Sequence, residues 1–157
     1  MIQRIQTIWL LAASVTLFSL FIFPFVSFID LVGLGRQISV TGVYSSVNNE
    51  IVKESGSIGL AIFTGAVALI PFVLIFLFKN RKQQIRFIYL ELLLVVGLGM
   101  WMLSAANDSL GSISQKVDTN NIGVGFFLVP IAIILLGLAV RDIRKDEKLI
   151  RSADRLR

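Results

Sequence analysis

Glu91 is the one ionisable side chain within four long apolar stretches of this sequence. An acid placed in such a stretch is costly to bury and by default marks a proton or cation site. It lies about five residues from the basic end of its stretch. Arg81, Lys82, Arg86 or Arg141 within reach would make it a structural ion pair instead. No second carboxylate lies at the same depth, so a proton relay would have to run on this residue alone. The remaining catalytic repertoire is thin. The chain has no histidine and no cysteine, which excludes disulfides, thiolate nucleophiles, Cys/His zinc sites, histidine-ligated haem and imidazole acid–base catalysis. Gly33-Leu-Gly35 and Gly97-Leu-Gly99 lack the strand-before, helix-after setting and the further glycines or Lys-Ser/Thr of a nucleotide loop. Asp30, Asn107, Asp108 and Asp118 have no catalytic spacing. The expectation is no enzyme and no cofactor or metal.

The elements that must position Glu91 follow from composition. Of 157 residues, 55% are hydrophobic and 16% charged, against about 25% charged in a soluble domain, and the mean hydropathy is +0.82. The apolar residues gather into blocks. A hydrocarbon core about 30 Å thick takes roughly 20 helical residues. Four spans are expected, at about 7–28, 57–78, 87–106 and 122–140. Backbone polar groups in lipid need internal partners, so the spans should be helices. A small barrel would instead show stretches of about ten alternating residues. The first block exceeds the 7–15 residues typical of a signal-peptide core and lacks a small-x-small exit, so it is read as an uncleaved span.

Orientation follows from the basic residues. Arg4, the Lys79–Arg86 loop and the 141–157 tail carry twelve, whereas the opposite loops hold only Arg36, Lys53 and Lys116. Cytoplasmic loops carry the Lys/Arg excess, so both ends should lie inside. The net charge of +5 is explained by this flanking pattern, and no nucleic-acid partner is expected.

In the first outer loop, Gln37–Val43 alternates partly, Tyr44–Asn49 is turn-like and Glu50–Lys53 resembles a return strand, predicting a short β-hairpin. The Asn107–Asn121 loop reads as a turn region. The fold class is therefore an all-α, four-helix transmembrane bundle, with both ends inside and a possible hairpin in the first periplasmic loop. The tail has no Gly or Pro, favours helix, and should continue span four as a charged helix with a thin apolar stripe. It holds seven bases and four acids. It serves as a stop-transfer extension, a membrane-surface helix or a docking helix. The mixed acids argue against a simple lipid-binding basic patch. Ser57, Ala61 and Gly65, with Gly97, Gly99 and Gly137, thin the helix surfaces and permit close packing. Pro24, Pro71 and Pro130 fall in or at the end of spans and are read as kinks. Trp9, Trp101 and Tyr89 suit packing or interfacial roles.

The opening Met1-Ile-Gln-Arg-Ile-Gln-Thr-Ile8 and the closing Lys145-Asp-Glu-Lys-Leu-Ile-Arg-Ser-Ala-Asp-Arg-Leu-Arg157 are the most distinctive stretches. With four spans in about 150 residues, the whole chain resembles a Bacteroidota family of small inner-membrane proteins classed as a domain of unknown function. The resemblance implies a bacterial inner-membrane location and carries no activity or site residues with it.

Three functions are carried forward. The first is a non-enzymatic membrane accessory or scaffold protein, whose candidate residues are Arg86, Arg141, Arg144, Lys145, Lys148, Arg151 and Arg155. Its partners would be the bilayer and a membrane or cytoplasmic protein bound by the tail. The second is a small oligomeric transporter or channel using Glu91. The third, ranked last, is a membrane enzyme.

Overall fold

The computed structural model describes residues 3–29, 35–47, 50–77, 80–111 and 121–154. It contains four helices: α1 (Gln3–Phe18), α2 (Ile58–Phe76), α3 (Arg81–Gly111) and α4 (Val124–Asp154). Four strands lie between the first two: β1 (Val26–Ile29), β2 (Gly35–Ser39), β3 (Gly42–Val47) and β4 (Glu50–Gly56). The helices form a ring in which α1 packs on α4 and α2, and α3 packs on α2 and α4. Each presents one buried stripe inward. On α3 the stripe is Gln84, Ile88, Glu91, Val95, Leu98 and Met102, an alternation of four- and three-residue steps that keeps one seam facing its neighbours.

The outward faces are apolar too. Ile62, Phe72, Leu93, Met100 and Ile134 are all exposed. In the most apolar window of α2, α3 and α4, only 33%, 28% and 33% of the residues are buried within the chain. A helix that is hydrophobic all round needs an apolar surround. These three helices are long and apolar enough to cross a membrane, whereas the apolar part of α1, with its following turn, is shorter (Ile5–Phe21).

The first stretch differs from the expected helix over 7–28. The α-helix ends at Phe18 and a 3-10 turn closes it at Ser19–Phe21. Pro24 is the reason: it has no N–H to donate, and it disfavours helical geometry at the residue before it. The chain crosses the start of α4 here. Gly125 N–H donates to Pro24 O at 3.0 Å, and Gly123 N–H donates to Phe25 O at 2.9 Å. A Cβ at Gly123 would sit 2.4 Å from Pro24 O, and one at Gly125 would sit 2.6 Å from Phe23 O. Only glycine admits this approach. Val26 then bridges Ile122 and begins the sheet.

That sheet is larger than the predicted hairpin. It is an antiparallel meander in the order β1-β2-β3-β4. One turn falls at Val40-Thr41, since Ser39 pairs with Gly42, and Gly42 takes φ 144°. The predicted return strand Glu50–Lys53 is present within β4, and because Val47 pairs with Glu50 the reversal before it is confined to the end of the predicted Tyr44–Asn49 stretch. Tyr44 is thereby a strand residue, pairing with Gln37 and Lys53. Its hydroxyl shares a hydrogen bond with Thr41, which shares another with Ser39. Phe25, Val26, Ile38, Val40 and Val43 are buried in the core, while Val52–Gly56 of β4 is exposed.

Helix α3 outruns the expected span 87–106, while α4 runs past the expected span 122–140 into the tail, where a helical continuation was expected. Helix α3 begins at Arg81 and continues through Asn107 to Gly111, and α4 carries straight on into the charged tail as far as Asp154. The rest of the Asn107–Asn121 loop, residues 112–120, lies outside the described residues, as do Asp30, Asp118 and Gly33. Pro71 and Pro130 sit inside α2 and α4. Gly97 and Gly137 do not serve close packing as predicted, because a Cβ at either would meet nothing within 4 Å.

Replacing Gly123 by alanine should lower stability by about 1–3 kcal/mol through overpacking. Gly97→Ala should leave it unchanged or raise it by up to ~1 kcal/mol. Thermal unfolding of both variants in mild detergent checks the contrast, and equal behaviour would refute it.

Candidate functional site

The predicted site residues fall into two places, one inside the bundle and one on its charged end. On α4 the acids and bases of the tail are sorted by helix phase. Asp142 and Asp146 are four residues apart and face α1. Trp9 Nε1 donates to Asp142 Oδ2 at 2.9 Å, and the Gln6 side-chain amide donates to the Asp146 carboxylate. Ile143 between them is fully buried, and Asp146 nearly so. The tail as far as Asp146 is therefore part of the bundle. These two contacts and the Pro24–Gly125 bond run in opposite chain directions, so α1 and α4 are antiparallel along their shared length.

Arg141, Arg144, Lys145 and Lys148 are exposed and follow three- and four-residue steps, which places them on one helix face. They rim a groove of about 800 Å³ between α3 and α4, whose wall also includes Tyr89, Leu92, Gly137, Val140 and Glu147. The Arg144 guanidinium lies 5.6 Å from the centre of the Tyr89 ring, a distance at which the ring face attracts a cation. Arg141, Lys145 and Lys148 make no ion pair among the described residues. The sequence mixture of acids and bases, which argued against a basic patch, is thus resolved by the fold. Two acids are engaged with α1 and four bases are turned outward. Arg86 is exposed on α3, one turn before Tyr89. Arg151 lies in α4 without a described side chain, and Arg155 lies outside the described residues.

Glu91 is not reached by the basic residues expected to pair with it. It is fully buried, and neither carboxylate oxygen has a hydrogen-bond partner among the described residues. The reason is helix phase. Glu91 occupies the inner seam of α3, while Arg86, five residues earlier, is turned about 140° away, and Arg141 belongs to the outward face of α4. Gln84 lies on the same seam two turns before Glu91. Its amide donates to Leu74 O at 3.0 Å, but its Oε1 is buried and unpaired, as is Arg81 Nη1. Three side chains on the first ten residues or so of α3 therefore carry orphan polar atoms. Leaving such groups unpaired is costly. Among the described residues, no three His, Cys, Asp or Glu side chains gather as a metal site.

Sequence reasoning missed Gln6 and Gln84, and read Trp9 for packing or an interface without its bond to Asp142. The signal for Gln6 and Trp9 was the four-residue spacing of Asp142 and Asp146, which is wasted on a purely solvated helix. Gln84, seven residues before Glu91, was legible as its seam partner.

A family model matches residues 2–156, described as a domain of unknown function, DUF4293. The chain belongs to that family. No curated protein matches the chain. DUF4293 as a description names no reaction, so the two polar places on the bundle carry what can be said about chemistry.

Replacing Glu91 by leucine, which keeps an apolar seam and removes both orphan oxygens, should raise stability by about 1–3 kcal/mol. Unfolding in mild detergent measures it. A clear loss of stability would mean that the carboxylate has a partner in the folded protein.

Proposed function

We propose that this DUF4293 protein is a non-enzymatic accessory or scaffold protein of a bacterial inner membrane, crossing it four times with both ends in the cytoplasm. The observation that carries the reading is the sorted charged end of α4, where Asp142 and Asp146 are held against α1 and Arg141, Arg144, Lys145 and Lys148 point outward. A mere stop-transfer tail has no need of such sorting. Arg86, Arg141, Arg144, Lys145 and Lys148, with Arg151 and Arg155 further along, form the working surface, and a cytoplasmic or membrane protein is its partner. The four-span topology is supported by the twelve-to-three bias of basic residues. It is also supported by length: 16 α-helical residues followed by a three-residue 3-10 turn give α1 a reach of roughly 30 Å.

Reporters fused to either end should read as cytoplasmic. Cross-linking in native membranes should recover a stoichiometric partner, lost on reversing Lys145 and Lys148 to glutamate. Truncation after Arg144 is a poorer probe, because it removes Asp146 and its bond to Gln6. A periplasmic reporter signal, or no partner under cross-linking, would defeat the proposal.

The full burial of Glu91 without a partner favours a second reading, in which an oligomer moves protons or cations past this residue. Proteoliposomes containing the protein should then show a cation or proton flux that Glu91→Gln abolishes. Equal flux in the variant removes this alternative.

A further inference from the structure

We propose that the groove between α3 and α4 is a binding site for a membrane phospholipid with an anionic headgroup. The inference rests on the proposed membrane reading, since it needs this end of the bundle to lie at a bilayer surface. The groove changes character along one helix face. Gly137 and Val140 of α4, with Leu92 of α3, make its lower wall apolar, and the rim begins at the very next residue, Arg141. From Gly137 to Lys148 is eleven residues, a rise of roughly 16 Å. A phospholipid has the same sequence of chemistries over such a length: acyl carbons, then glycerol, then phosphate. The apolar wall is continuous with the exposed apolar faces of both helices, including Leu93 and Ile134, so an acyl chain has a way out toward its neighbours. An acidic peptide would use the rim but leave the apolar wall unfilled.

Charge complementarity sets the headgroup. Arg141, Arg144, Lys145 and Lys148 surround the mouth, opposed among the lining residues by Glu147 alone. The acids that would have neutralised the rim, Asp142 and Asp146, face α1. Tyr89 under Arg144 fixes one guanidinium at the mouth, the arrangement expected for a phosphate contact at a helix–helix crevice. The volume of about 800 Å³ lies in the usual range of ligand sites. It suits a headgroup with the first part of its chains.

The test uses the purified full chain in detergent with dioleoylphosphatidylglycerol or dioleoylphosphatidylcholine added in mixed micelles. Retained lipid is read by native mass spectrometry and protection by thermal unfolding. The anionic lipid should be retained and raise the unfolding temperature, and the zwitterionic lipid should do neither. Lys145→Gln with Lys148→Gln should lower the apparent affinity by roughly tenfold or more. Gly137→Phe keeps every charge and enters space where an added Cβ meets nothing within 4 Å. It should abolish retention with no loss of stability in the lipid-free protein. Equal retention of both lipids would overturn the proposal. Equal protection by inorganic phosphate would reduce the site to a bare anion patch, and unchanged retention in Gly137→Phe would exclude the groove. Displacement of the lipid by a polyglutamate peptide would assign the rim to a protein instead. A soluble, detergent-free protein would fail the membrane reading itself. Loss of the lipid with the cross-linked partner kept would fail neither, because Gly137 lies away from the lysines used to test that partner.

Discussion

The pairing of α1 with α4 is the constraint on which the other features depend. It runs from the Gln6–Asp146 contact at one end, through Trp9 and Asp142, to the backbone bonds between Pro24–Phe25 and Gly123–Gly125 at the other. At the second end it turns the chain out of helix and into β1, so the sheet takes its starting position from α4. At the first end it settles which side of the α4 extension faces inward. The groove with α3 then receives four bases and, of the acids, Glu147, because Asp142 and Asp146 are already committed to α1. A weak amphipathic signal in the tail thereby becomes a definite distribution of charge.

How much of this was legible follows residue type. Helices α2, α3 and α4 were readable because about twenty apolar residues with at most one charge have few other solutions. Their ends were less so. The start of α3 falls within a basic loop, whereas the tail of α4, free of Gly and Pro, read as a helical continuation, and the helix runs to Asp154. The first apolar block misled at its far end because Phe, Val and Ile at 25–29 serve equally in a membrane helix and in a buried strand. Pro24 was the local mark of the change, and its position next to β-branched residues was the available clue. The sheet was underestimated for a similar reason. The stretch Tyr44-Ser45-Ser46 looks like a turn by polarity, yet each residue sits across from β2 and β4; a first turn needs only Val40-Thr41 before a glycine, and the reversal into β4 comes after Val47.

Charge partners were the least legible part. Glu91 was visible from the sequence, but its surroundings were not, since proximity along the chain suggested Arg86 and helix phase sends Arg86 elsewhere. Conversely, Asp142 and Asp146 read as diluting a basic tail until α1 was seen to take them. In both cases the separation that matters is angular around a helix axis, and no count of charges records it.

The order of synthesis adds a consequence of the α1–α4 pairing. Gln6 and Trp9 find their acceptors 140 and 133 residues later in the chain. At ribosomal speeds of about 5–20 residues per second, α1 waits on the order of ten seconds for α4. Until Asp142 and Asp146 emerge, two polar side chains near its start must be served by water or by an interim neighbour. Completion of the bundle is therefore a late event, gated by the synthesis of α4.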